Sequence, residues 1–358
     1  MRNLYFLLYS LFFTLNFPTI YGFIKTPNQI INKRISNLLD LSNLSNNENE
    51  KIDPINEIQN DNIIIKKIHS ISQLTRSGNI IPTLLLSFSG GWIMNPSISN
   101  LIHSTPFITS NINTVLIMSL SMILNDLFDI EVDKLNNPSR PLITGEISKM
   151  EAISLSGLLF LTIEYLTTTY LPSNIQFITN LIILDVLFYT PFFKKITFIK
   201  NINCALIVSF ALFYSGLSVS DDNLLLNDKH YELLSITMNY IFWGSINNEL
   251  MMDISDLEGD KQSGIKTLPV IINKPASLFL VHSILFCNTM SNSLSLVYLY
   301  NNVQYGIIPV LLYVPIFVDL LKVKNQEYSS YTINKTLKGS MIPMFLFLLN
   351  MCVLSYNL

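Results

Sequence analysis

Nine apolar stretches of near membrane-spanning length follow one another from residue 78 to the end of this 358-residue chain. Their approximate limits are 78–95, 107–128, 151–170, 174–191, 202–218, 232–252, 276–299, 305–321 and 339–356. A helix of about 20 apolar residues crosses the hydrocarbon core of a bilayer. Lipid offers the backbone no hydrogen-bond partners, so each crossing must satisfy its own. Such a chain is constrained to be an all-α, multi-spanning membrane protein. Composition agrees, with 49% hydrophobic and 13% charged residues, against about 25% charged in soluble proteins. Two or three soluble domains are excluded, and nothing points to nucleic acid.

The connections alternate in charge. One set carries Lys134, Arg140, Lys149, Lys194, Lys195, Lys200, Lys261, Lys266, Lys274, Lys322, Lys324, Lys335 and Lys338, and the opposite set carries only Lys229. Cytosolic loops hold the excess of Lys and Arg. Nine spans place all 13 cations, and the N-terminal segment, on one cytosolic or stromal face. For Lys195, Lys200 and Lys274 the ordinary reading is a topology-setting charge.

Residues 1–23 read as a signal-like or targeting segment, with Arg2 before the apolar run Leu4 to Leu15. Residues 24–69 are polar, Asn-rich in large part, and expected to be disordered. Together they resemble the bipartite leader of proteins sent to a secondary plastid. The helical domain is expected over residues 70–358. Cys204, Cys287 and Cys352 lie scattered in apolar stretches without a C-x-x-C, which speaks against a disulfide framework or a zinc site.

Two apolar stretches end in the same acidic pattern. Asp126, Asp129 and Asp133 form D-x-x-D-x-x-x-D, and so do Asp253, Asp256 and Asp260, 127 residues later. Steps of three and four stack side chains on one helical face, so each copy is expected to form a column of carboxylates. Like charges in a column need cations among them. Mg²⁺ binds a few carboxylates together with substrate phosphates. The expected ligands are Asp126, Asp129, Asp253, Asp256 and Asp260, and all six aspartates are expected to be catalytic. The similarity around the motifs suggests an internal repeat that sets the columns face to face.

Diphosphate chemistry also needs donors for the phosphate oxygens. Arg140 follows the first column, Lys194 follows the fourth stretch, Lys266 follows the second column, and Arg76 and Asn79 stand at the entry to the first stretch. Asn125 precedes the first column on its helix. Metal clamping of a diphosphate, with loss of the leaving group at an allylic carbon, would leave a carbocation that must be kept from water.

These residues resemble the UbiA superfamily of intramembrane prenyltransferases. Asn125 to Ser148 is similar to the family's N-D-x-x-D-x-x-x-D signature with its R-P-L-x-x-G-x-x-S tail. Asp253 to Val270 is similar to D-x-x-D-x-E-G-D…G-x-x-T-L-P-V, and Tyr189 to Lys195 to its Y-S-x-x-L-K-R segment. Ser77 stands where the family's R-P-x-N has Pro. The resemblance covers residues 70–358. It implies nine transmembrane helices in a bundle around a central cavity, with a motif-bearing cap on the basic face. It also implies Mg²⁺-dependent transfer of a prenyl chain from an isoprenyl diphosphate to an aromatic or other lipophilic acceptor. Within the family, the motifs are closest to chlorophyll synthase-like and geranylgeranylglyceryl-phosphate prenyltransferase-like members. Asn248 and Met252 stand where basic residues commonly occur. Two other readings are weaker. A CDP-alcohol phosphotransferase would need a single D-G-x-x-A-R string that is missing. A transporter or cation channel would carry its acids mid-span, on broken helices.

Overall fold

The computed structural model describes residues 54–220, 229–262 and 264–358. Residues 1–53, with the expected targeting segment, lie outside the described residues. The chain divides into residues 1–62 and a compact unit of residues 63–358. Among the described residues every regular element is helical. In order they are α1 (Pro54–Leu74), α2 (Ile80–Met94), α3 (Ile98–His103), α4 (Thr105–Phe128), α5 (Ile130–Asn136), α6 (Pro141–Thr144), α7 (Lys149–Tyr170) and α8 (Ser173–Tyr189). Then come α9 (Ile199–Leu217), α10 (Lys229–Ser255), α11 (Leu257–Gln262), α12 (Leu268–Ile272), α13 (Lys274–Tyr300), α14 (Gln304–Asn325) and α15 (Ser330–Ser355).

Each apolar stretch falls within a helix, usually to within three or four residues. Five of these, α4, α7, α9, α14 and α15, are individually long and apolar enough to cross a membrane. The chain is thus an integral, multi-pass, all-α membrane protein. Two expectations change. Helix α15 starts at Ser330, nine residues before the last apolar stretch, because Ser329 caps it by accepting from the Thr332 amide. Helix α1 occupies residues 54–69, inside the stretch expected to be disordered. Its second half carries Ile71 and Leu74, and Leu74 is fully buried against Ile123, Ile147 and Ala152. Apolar residues at steps of three anchor a helix that polar composition had masked.

The internal repeat is visible in the order of elements. A long helix, a short helix, a one-turn helix and a second long helix follow one another as α4–α5–α6–α7, and again as α10–α11–α12–α13. Proline opens the first turn of both one-turn helices, Pro141 in α6 and Pro269 in α12, where its missing N–H costs nothing. Gly145 ends α6 with φ 79°, a left-handed conformation that glycine adopts without strain.

Helices α2 and α9 cross at very short range. A methyl group on Gly90 would come 1.8 Å from the Leu212 carbonyl oxygen. Small residues at such crossings let backbones approach, and dispersion contacts hold them. The adjoining core joins Ile93, Leu212, Leu233, Leu234 and Leu296, with Tyr240 stacked on Phe347 at 3.6 Å between centroids.

Candidate active site

Neither acidic column lies on one continuous helix. In the first, Asp126 belongs to the last turn of α4, Asp129 sits at the break, and Asp133 belongs to α5. In the second, Asp253 belongs to the end of α10, Asp256 stands at the break, and Asp260 belongs to α11. The middle carboxylate therefore marks a break in both copies. Three carboxylates on an unbroken C-terminal turn would oppose the helix dipole as well as each other. Breaking the helix also begins a new one, whose N-terminal end favours acids.

The first column is matched charge for charge. Arg140 Nη1 donates to Asp126 Oδ1 at 2.8 Å and also bonds Asp133. Arg76 Nη2 reaches Asp126 at 3.4 Å. Lys194 Nζ donates to Asn125 Oδ1 at 3.0 Å and pairs with Asp129. Asp126 and Asp133 are buried, and buried carboxylates persist only when paired. Arg76, Arg140, Lys194 and Asn125, all singled out by sequence, are thus gathered at one column.

Arg76 is delivered by α1. It follows that helix in a left-handed conformation, with φ 49°. Helix α1 is clamped to the start of α7 by polar contacts. Ser70 Oγ donates to Glu146 at 2.7 Å, Lys66 lies 3.6 Å from Glu146, and Lys67 donates to the Glu146 carbonyl at 2.9 Å and to Glu151 at 2.8 Å. The Ser70 hydroxyl and the Lys66 ammonium hold the Glu146 carboxyl below the usual carboxylate range. Glu151 is also the reciprocal member of a capping box with Ser148. Sequence reading missed this clamp, because its partners lie more than 70 residues apart.

The second column is less neutralised. Lys200 Nζ donates to Asp253 Oδ1 at 2.5 Å, and Asn201 Nδ2 donates to Asp253 Oδ2 at 2.9 Å. Thr267 Oγ1 donates to Asp260 at 3.0 Å. Asp256 is exposed, and its side chain makes no hydrogen bond or ion pair among the described residues. Burial pushes the Asp260 carboxyl above its ordinary pKa, opposed by the Thr267 hydrogen bond. Lys200 is the clearest departure from the sequence reading, which took it for a topology-setting charge. Its position in the first turn of α9 aims it at α10, a relation that no local pattern announces. Lys266 and Asn79 are not drawn in. The Lys266 carbonyl accepts from Thr197 Oγ1, while its side chain forms no ion pair among the described residues, and Asn79 is exposed and does not cap α2.

Tyr189 at the end of α8 bonds Cys204 of α9 at 3.0 Å. The Tyr189 hydroxyl is within electrostatic reach of both Asp129 and Glu249, and Cys204 of Glu249, Lys200 and Lys194.

Among the described residues, no three acidic, histidine or cysteine side chains converge closely enough to hold a metal ion. Arginine and lysine pair with Asp126, Asp129, Asp133 and Asp253 instead. The donor set itself, hard carboxylate oxygens beside cations suited to phosphate, fits Mg²⁺ chemistry.

A model of the UbiA prenyltransferase family matches residues 81–349. The chain belongs to the UbiA prenyltransferase family. As a UbiA-family chain it is a prenyltransferase. It is 25% identical over 280 residues to the digeranylgeranylglyceryl phosphate synthase of Natronomonas pharaonis, covering 77% of this chain and 94% of that protein. It is 30% identical over 203 residues to that of Saccharolobus solfataricus, covering 56% and 68%. For Sulfurisphaera tokodaii the values are 33% over 163 residues, covering 46% and 56%, so this match spans little more than half of that relative.

Solved structures share the fold. A digeranylgeranylglyceryl phosphate synthase superposes with a TM-score of 0.60 at 22% identity, over 82% of this chain and 99% of that one. A UbiA homolog from Archaeoglobus fulgidus, bound to GPP and Mg²⁺, superposes at 0.57 with 18% identity, over 81% and 100%. The same homolog has been seen with Cd²⁺.

Proposed function

We propose that this protein transfers a prenyl chain from an isoprenyl diphosphate to a prenylglyceryl phosphate, forming an ether at the glycerol hydroxyl. For the acceptor, the observation that carries the reading is the shared name of the curated relatives above, digeranylgeranylglyceryl phosphate synthase. They favour this acceptor over an aromatic one, and over chlorophyllide. For the donor, support comes from the two columns and their cations.

Asp126, Asp129, Asp253, Asp256 and Asp260 would hold Mg²⁺, which when bound neutralises the diphosphate leaving group. The chain's own residues do the rest by exchanging partners. Arg76, Arg140 and Lys194 now hold carboxylates. Their guanidinium and ammonium groups suit phosphate oxygens equally well. An arriving diphosphate would take these cations, and each freed aspartate would turn to metal. The ion pairs thus store the site's charges in a neutral arrangement until substrate comes. Asp133 stays on Arg140 and orients it. Apolar helices around the centre would keep water from the developing allylic cation. We further propose that the long helices make nine membrane crossings with both columns on the basic face, and that the segment preceding α1 carries a plastid-type address.

The test is an acceptor panel on membranes containing the full chain, with labelled geranylgeranyl and phytyl diphosphates. Label should enter geranylgeranylglyceryl phosphate in preference to chlorophyllide, homogentisate, dihydroxynaphthoate and 4-hydroxybenzoate. Preference for an aromatic acceptor would overturn the acceptor, and incorporation into none would overturn the donor chemistry too.

A further inference from the structure

A cavity of about 60 Å³ lies between α10, α13, α14 and α15, apart from the carboxylate columns. Its lining from α10 includes Gly244, Asn247 and Met251, residues three and four apart and so on one face of that helix. Glu249 and Asp253 lie roughly half a turn round from them, and Asp253 faces Lys200 and Asn201 of α9. The cavity therefore backs onto the carboxylate site across the thickness of α10. Its rim residues Asn248, Ser340 and Met344 are half-buried, which leaves it open on one side. A single water needs only about 15 Å³ by such a measure, so the space admits a larger group.

The wall is apolar except for hydroxyls and amides, and carries no Asp, Glu, Lys, Arg or His. One of those amides is anomalous. Asn247 is 5% exposed, and neither its Nδ2 nor its Oδ1 has a hydrogen-bond partner. Its neighbour Asn288 is satisfied, donating to the Tyr240 carbonyl at 3.0 Å and accepting from Asn292 at 2.6 Å. Leaving a buried donor and acceptor both unmade is costly. What Asn247 lacks is one acceptor and one donor together, and a hydroxyl is the small uncharged group that supplies both. A charged head would be desolvated with no counter-ion in the wall.

We infer that this cavity is a second ligand site that takes the hydroxyl head of a membrane-dissolved lipid alcohol, held by Asn247. The hydroxyl accepts from Nδ2 and donates to Oδ1, and its apolar chain leaves past Met344. The site is independent of the acceptor reading above, because none of its lining belongs to the diphosphate machinery.

The experiment uses the full chain in lipid nanodiscs. It is photolabelled with a diazirine-bearing long-chain primary alcohol, and separately with the methyl ether of that alcohol, which cannot donate. Adducts are mapped by peptide mass spectrometry. The alcohol should label lining residues of α10 and α15 at least tenfold more than the ether. Asn247→Leu, which fills the space with carbon, should abolish that labelling while prenyl transfer continues. Ser340→Leu closes the rim from the other helix and guards against a misfolded first variant. Equal labelling by alcohol and ether, labelling that survives both substitutions, or no adducts in the lining would each overturn the proposal. The last result would mean that Asn247 is met by water alone.

Discussion

Lys200 Nζ lies 2.5 Å from Asp253 Oδ1 and, together with the Asn201 hydrogen bond to Oδ2, ties the first turn of α9 to the last turns of α10. Among the described residues it is the only ion pair made by the second column. A charged hydrogen bond of this kind is worth about 1.5–3 kcal/mol. Lys200→Met should therefore raise KM for the diphosphate by about tenfold or more, with the chain still inserted in membranes. Lys195→Met should change little. Steady-state kinetics on membranes decide it, and equal effects of the two substitutions would assign Lys200 to topology alone.

The clamp from α1 to α7 should govern Arg76. Glu146→Ala removes the acceptor of Ser70 and the partner of Lys66. The expected result is a higher KM for the diphosphate with kcat nearly unchanged, and partial rescue by Glu146→Gln, which still accepts from Ser70. Arg76→Ala should reproduce the effect, and the double variant should be no worse than Arg76→Ala. Additive losses in the double variant would show that the clamp acts elsewhere.

Metal binding should strengthen as pH rises. Burial raises the pKa of Asp260, so it keeps its proton to higher pH than a free aspartate. A carboxylate must be ionised to ligate metal. Mn²⁺ affinity, followed by electron paramagnetic resonance, should accordingly climb as pH passes upward through that raised value. Thr267→Val removes the hydrogen bond favouring the ionised form and should move the climb to still higher pH. Asp260→Asn should flatten it, and a profile indifferent to both substitutions would remove Asp260 from the metal site.

Removal of the motif aspartates tests the core of the reading. Asp126→Ala and Asp253→Ala should each lower turnover by a factor of at least about 10², while membrane insertion is preserved. Full activity in either variant would sink the proposed site.

The crossing of α2 and α9 sets a stability limit. Gly90→Ala places a methyl group against backbone at Leu212, with no flexible side chain to yield. Overpacking of this sort costs about 1–3 kcal/mol. A lower midpoint in a thermal unfolding assay in detergent is expected, whereas Gly157→Ala, where nothing lies within 4 Å, should be neutral.

The motifs and much of the site could be read without coordinates, because their signals are local. Arg140 stands seven residues from Asp133, and Lys194 closes an aromatic run. The break at Asp129 and Asp256 was not readable. The D-x-x-D spacing fits an unbroken helix, so it gives no sign that each long helix ends at its middle aspartate. Lys200 and the Ser70–Glu146 clamp were missed for a related reason. Their partners lie on other helices, and isolated charges near span ends look like topology signals.

By itself, the sequence determined the class of the protein. Hydropathy and loop charge dictate a multi-spanning helical bundle, since lipid permits a backbone few other solutions. The repeated aspartates dictate a need for cations. The tertiary structure decided which cations answer. It placed Arg76 and Arg140 on Asp126, Lys194 on Asp129 and Lys200 on Asp253. It also left Asn247 unpaired on the far side of α10. Pairing between side chains depends on helix rotation and crossing, which are set by packing over the whole bundle and not by any single segment.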